Sequence, residues 1–183
     1  MRFTRYILTA VLAVLFALPV AKDGNQFVAV EVEYDAPSML SEASEEIAEV
    51  ERIAKADNII NTALKYLGVK YSYGQSSPKG FDCSGFTKYV FNEEHITLTR
   101  NSRSQYNHGE RVAKLKDLRP GDLVFFGGEH SPRSVGHVGI VVEVDEETGR
   151  FTFVHASRTG IKVDLSSEKY YSSRYLGARR VIL

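Results

Sequence analysis

The order in which two hydrophobic periods follow one another constrains this chain more than any other feature. Between Ser41 and Leu67, the residues Ile47, Val50, Ile53, Ala54, Ile60, Ala63, Leu64 and Leu67 recur at three- and four-residue spacing. That spacing gives a helix one apolar face, and Gly68 supplies a C-terminal stop. The stretch reads as one long helix or as two with a break near Asp57. Past residue 120 the period changes. GDLVFF (121–126), GHVGIVVEV (136–144) and RFTFVHA (150–156) are rich in β-branched and aromatic residues and are bounded by turn signals. DEETG at 145–149 reads as the turn between two antiparallel strands, and GIKVDL and GARRVIL read as further strands. Helices first and strands afterwards predict an α+β fold, with helices on one face of an antiparallel sheet of five to six strands.

The first 21 residues carry Arg2 and Arg5 and then an uncharged run of 16 residues from Tyr6 to Ala21. That is short of the roughly 20 residues needed to span a bilayer, and basic residues flank it on the amino side only. The pattern predicts a signal peptide (1–21), extracytoplasmic action (periplasmic or secreted), and no stable membrane insertion once the signal is removed. Residues 22–57 hold ten acidic residues against three basic ones, whereas from residue 58 onward basic residues lead by 18 to 13. Residues 22–56 are therefore read as an acidic linker or helical arm, with EVEYDAPSML (31–40) interrupted by Pro37, and 57–183 as the working domain. A mildly basic body suits an anionic surface. No arginine cluster or aromatic–basic interleaving points to nucleic acid.

One cysteine, Cys83, occurs in the whole chain, inside GFDCSGF. A single thiol closes no intramolecular disulfide, and export favours paired cysteines. Asp82 is a strong N-cap residue, which makes Cys83 the first residue of a short helix with Phe86, Tyr89 and Val90 on one side. There the helix dipole and free backbone N–H groups favour a thiolate, and the same donors can bind an oxyanion. Gly85 is read as leaving room for substrate backbone beside the nucleophile. The base is sought among five histidines. His137 opens one expected strand and His155 closes the next, so a hairpin brings them to one sheet edge for nucleophile–base–orienter chemistry. Two histidines and a cysteine also suit zinc, but no C-x-x-C or H-x-x-x-H pair is present. His95, His108 and His130 lie in polar or loop contexts and receive no role.

YSYGQSSPKGFDCSGFTKYVF, LRPGDLVFF and GHVGIVVEV, in that order, resemble the NlpC/P60 family of cysteine peptidases over roughly residues 57–183. The resemblance implies a stripped-down papain-like fold, with Cys83 as nucleophile, His137 as general base and His155 as its orienting partner. It implies that Tyr71 supports the oxyanion hole, that Asp82 and Ser84 contact substrate, and that Tyr73 and Ser102 belong to the pocket. Arg100 and Gln105 fall in a weaker motif and are left outside the site. Gln75 stands where the family usually has a second glycine and is expected to narrow the loop. Such enzymes cut peptidoglycan stem peptides, typically between γ-D-glutamyl and a diamino acid, without metal or organic cofactor. The expectation is thus a monomeric cysteine-type D,L-endopeptidase acting on peptidoglycan. An amidase or acyltransferase on the same scaffold, and a catalytically inactive wall-binding module, are the alternatives.

Overall fold

The computed structural model of the chain describes residues 36–129 and 131–182, with the backbone alone at 36–39. The expected signal peptide, the arm up to residue 35 and His130 lie outside the described residues. By its contacts the chain divides into Met1–Ala43 and Ser44–Leu183. In order the elements are helix α1 (Ala36–Leu64), strands β1 (Ser76–Ser77) and β2 (Gly80–Phe81), helices α2 (Cys83–Glu93) and α3 (Ser102–Gln105) and strand β3 (Glu110–Val112). After a 3-10 turn (Leu115–Asp117) come β4 (Leu123–Gly127), β5 (Val135–Val144), β6 (Phe151–Ser157), β7 (Gly160–Leu165), helix α4 (Lys169–Ser172) and β8 (Tyr175–Arg180).

The helical period of the first half yields one continuous helix. No break occurs at Asp57, because Ala56, Ile59, Ile60 and Ala63 form a buried stripe on either side of it while Asp57 itself faces solvent. Helices in proteins owe most of their stability to such a packed face, which outweighs a locally poor residue. The helix also begins earlier than the sequence suggested. Pro37 falls in its first turn, where a missing N–H removes no helical hydrogen bond, so it does not interrupt. Upstream of Ala56 the apolar period continues without burial, since Ile47, Val50 and Ile53 are all exposed. Gly68, at φ 80°, turns the chain out of the helix, and its N–H donates to the Ile161 carbonyl of β7.

Six strands form an antiparallel sheet in the order β3-β8-β4-β5-β6-β7. Every residue of central β4 is buried, as expected of a strand covered on both faces. On one face Leu123, Phe125, Val138, Ile140, Val154 and Ala156 pack with Phe86, Val90 and Phe91 of α2 and with Ala56, Ile59 and Ala63 of α1. On the other face Val124, Phe126, Val141, Phe153 and Ala178 pack with Leu118 and Tyr171. The DEETG turn is as expected: Asp145 accepts backbone N–H bonds from Glu147 and Thr148, and Gly149 takes a left-handed φ of 68°.

Asp122, 2% exposed, anchors the rim of the sheet. Its carboxylate receives both Arg180 Nε (2.9 Å) and Nη2 (2.8 Å), and the Arg119 N–H (2.9 Å). Removing one partner of a buried pair strands the other charge, at a cost of roughly 3–5 kcal/mol. Arg180→Met is therefore expected to lower unfolding stability by about 3 kcal/mol in urea titration. A loss below about 0.5 kcal/mol, the scale of an exposed pair, would show that the carboxylate is solvated instead.

Candidate active site

The nucleophile candidate is positioned by one carboxylate. Asp82, itself in extended conformation, caps α2 by accepting the Gly85 N–H at 2.7 Å, and Cys83 is the first helical residue. The same side chain accepts the Gly74 N–H at 2.9 Å and a two-pronged contact from Arg100, Nη1 at 2.9 Å and Nη2 at 2.6 Å. Arg100 Nη1 also donates to Ser84 Oγ at 3.2 Å. Burial pushes the Asp82 carboxyl up, but the hydrogen bonds from Arg100 and Gly85 outweigh it, and the group is held below the usual carboxylate value.

The Cys83 sulfur lies against β5 on both sides of His137. The thiol approaches the Gly136 carbonyl at 4.0 Å, and the N–H groups of Val138, Ser84 and Cys83 itself favour its thiolate. Burial, and then the Asp82 charge, nevertheless push the thiol up to about 11. His137 is pushed down to about 3, by burial first and then by the neighbouring imidazole. At rest the two groups are a neutral thiol and a neutral imidazole.

The two strand histidines meet as the hairpin reading required: His137 Nε2 and His155 Nδ1 are 2.8 Å apart. His155, 1% exposed, has its other nitrogen, Nε2, 2.9 Å from Asp164 Oδ2. An ionised carboxylate only accepts, so His155 carries its proton on Nε2 and its Nδ1 accepts from His137 Nε2–H. By elimination the unprotonated nitrogen of His137 is Nδ1. The His155 ring is clasped between Phe153 (centroids 4.8 Å) and the edge of Tyr171 (5.5 Å).

A cleft of about 710 Å³ opens over the thiol, lined by Tyr71, Tyr73, Asp82, Ser84, Arg100, Ser102 and Arg103 among others. Every sequence-derived pocket residue is thus present. Tyr71 is half-buried and its backbone bridges to Phe81. Burial and then the Cys83 charge raise its phenol, so it remains a protonated donor. Tyr73 is 89% exposed at the cleft rim, which removes core packing as its purpose. A larger cleft, about 940 Å³ beside Glu49, Arg52, Lys116 and Arg180, holds no nucleophile or histidine. Among the described residues no cluster of three or more His, Cys, Asp or Glu side chains is arranged to hold a metal.

Two sequence readings, of Gly85 and of Arg100, need correction. Gly85 does not make room for substrate: a Cβ there would stand 2.1 Å from the Gln75 carbonyl, so the chain's own β1 loop occupies that space. Gln75 lies beside the site through its carbonyl, which receives Arg100 Nη2 at 3.4 Å, while Tyr73 and Gly74 line the cleft. Arg100, set aside from the sequence, belongs at the centre of the site through Asp82 and Ser84. Asp164 and Tyr171 escaped the sequence altogether. Gln105 stays outside the cleft, buried beneath it, accepting from Thr87 Oγ1 and donating to the Ser84 and Thr99 carbonyls. His95, in the left-handed region at φ 59°, closes the end of α2.

A helix-borne cysteine packed on the strand that carries one member of a bonded histidine pair, in an antiparallel sheet, defines a cysteine–histidine site on a minimal papain-like scaffold. The chain belongs to the NlpC/P60 family, whose sequence model matches residues 68–180. It is 35% identical over 129 residues to the Bacillus cereus gamma-D-glutamyl-L-lysine dipeptidyl-peptidase, covering 69% of this chain and 37% of that protein. It is 42% identical over 106 residues to the probable endopeptidase p60 of Listeria seeligeri, covering 58% and 18% of the two chains. A solved NlpC/P60 family protein from Bacillus cereus superimposes with a TM-score of 0.62 at 34% identity, over 70% of this chain and 40% of the other. The chain therefore spans well under half the length of these relatives.

The charge arrangement fixes the pH dependence of stability. Both His137 and His155 are held below the free imidazole value of roughly 6.5. Below that pH the unfolded chain binds protons that the folded chain does not, so stability falls with acidification. Asp82, whose folded value is depressed, contributes stability above the free carboxylate value of about 3.9, lost as pH falls through its lower folded value. Urea midpoints are expected to decline from about pH 6.5 and more steeply below about pH 4. Asp82→Asn should flatten only the steeper acid segment, and an undiminished slope there would refute the assignment.

Proposed function

We propose that this protein is an exported cysteine peptidase that hydrolyses peptidoglycan stem peptides as a D,L-endopeptidase at the γ-D-glutamyl–diamino acid bond. The observation that carries the reading is the Cys83 sulfur held against the backbone either side of His137, whose Nε2 is engaged by His155. The Bacillus cereus relative's name carries a γ-D-glutamyl–lysine bond and the Listeria relative's an endopeptidase, which support the bond and the reaction type. Arg103 at the cleft adds a cationic group suited to the free carboxylate of a γ-linked glutamyl residue. Action outside the cytoplasm follows from the substrate, and a single chain holds every residue the chemistry uses.

Substrate binding excludes water over the thiol, and the proton of Cys83 Sγ passes to His137 Nδ1. The thiolate then attacks the scissile carbonyl. The developing oxyanion draws on the free N–H groups at the start of α2, since Asp82 occupies only that of Gly85, and on the Tyr71 hydroxyl. The His137 imidazolium returns the proton to the leaving diamino-acid amine, leaving a thioester on Cys83. His137, neutral again, accepts a proton from water as that water attacks the thioester; the C–S bond breaks, the proton returns from His137 to Cys83 Sγ, and the D-glutamyl carboxylate is freed. Asp82 and Ser84 set the cleft wall with Arg100, while Tyr73 and Ser102 contact the peptide at rim and floor.

The expected result of digesting purified peptidoglycan with the full chain is new D-glutamyl carboxyl termini paired with free diamino-acid amines, read by mass spectrometry. Cys83→Ala and His137→Ala should each reduce their formation by at least about 10³-fold without loss of folding. Stem peptides released whole from the glycan would mean an amidase. Wall binding without any new termini from the wild type would mean a binding module.

A further inference from the structure

Asp164 stands where the family motifs assign nothing. It lies on β7 directly opposite Phe153 of β6, one diagonal step from His155, which opposes Lys162. Diagonal neighbours on one face of a sheet are within reach of long side chains. Its Oδ2 collects three donors: His155 Nε2 at 2.9 Å, the Tyr171 hydroxyl at 2.6 Å and Lys162 Nζ at 2.7 Å. Tyr171 and His155 are nearly sealed from solvent, as is Asp164 itself, at 8% exposed. A buried carboxylate is retained against its desolvation only if such partners surround it. The groups facing it are thus His155 from β6, Lys162 from its own strand and Tyr171 from α4, with Glu168 nearby and His137 one imidazole further on.

We propose that Asp164 is a positioning residue for the Cys83–His137 pair: held by Tyr171, it locks His155 with its proton on Nε2, which turns the unprotonated Nδ1 of His137 toward the thiol and steadies the imidazolium that forms there. The relay is Asp164–His155–His137–Cys83. One proton moves in it, from Cys83 Sγ to His137 Nδ1; His155 stays neutral and Asp164 stays ionised throughout. Lys162 opposes the carboxylate. Its cation shares Oδ2 with His155 and disfavours positive charge on the histidine pair.

This inference rests on the Cys–His reading of the site, but its test needs no peptidoglycan. Cys83 is the sole thiol of the chain, so iodoacetamide reports on it alone. In the full chain, Asp164→Asn should shift the rise of the alkylation rate to higher pH, making it about tenfold slower at a fixed pH on that limb, the equivalent of one pKa unit. Lys162→Met, at a half-exposed site, should shift it to lower pH. Opposite shifts are the signature of charge acting through His155; a merely structural role moves both the same way or neither. Nitrogen-15 spectra of histidine-labelled Cys83→Ala protein should show both His137 and His155 protonated on Nε2, with that state of His155 lost in the Asp164→Asn double variant. If Asp164→Asn does not fold, the Lys162→Met shift and the Cys83→Ala spectrum decide. Shifts of the same sign, no shift with Lys162→Met, or His155 protonated on Nδ1 would overturn the relay. A failure to digest peptidoglycan alongside these expected shifts would sink only the substrate assignment.

Discussion

The Asp82 carboxylate is the interaction on which the rest of this structure depends. It ties three otherwise separate pieces of chain together: the first turn of α2 through Gly85, the loop before β1 through Gly74, and the segment leading to α3 through Arg100. Those pieces form three sides of the cleft. The arrangement has an electrostatic cost, because a negative charge beside Cys83 opposes the thiolate. Arg100 offsets part of it, and the backbone donors of Val138, Ser84 and Cys83 offset more. The site is therefore held at rest as a neutral pair, in which the thiol ionises when its proton has somewhere to go. A thiol kept protonated this way is also less prone to react with chance electrophiles, since the thiolate is the reactive form.

Much of the fold was legible because its periods are strong. From β4 onward the strands announce themselves by β-branched and aromatic runs, and the Asx-type turn at Asp145 is explicit. β3 was not visible, since Glu110 and Arg111 are exposed on an edge strand and only Val112 is buried. Pro37 misled because the same residue that breaks a helix interior is harmless in a first turn. The exposed upstream face of α1 shows the converse limit: periodicity reports what a helix offers, not whether anything covers it.

For the site, Asp82, Cys83 and the histidines were readable because capping and hairpin geometry are local rules. Arg100 and Asp164 were not, for different reasons. Arg100 reaches Asp82 from 18 residues away, along a segment without regular structure. Asp164 sits in GIKVDL, where a lysine and an aspartate at alternate positions read as the wet face of a strand. Only the pairing of β6 with β7, and Tyr171 folding over from α4, bury it against His155. Gly85 illustrates a third case. The need for a glycine was visible, but the neighbour that demands it, the Gln75 carbonyl, comes from the chain and not from a ligand.

Cys83 belongs to the hydrophobic layer on one face of the sheet, whereas the aromatic residues that clasp His155, Phe153 and Tyr171, belong to the layer on the other. The cysteine and the imidazole that backs His137 are thus anchored on opposite faces of one sheet. Between them runs the short stretch Gly136–Val138, whose backbone meets the sulfur and whose His137 bonds His155. The spacing of the reacting groups is thus a property of one strand's backbone, whereas the cleft walls come from segments outside that strand.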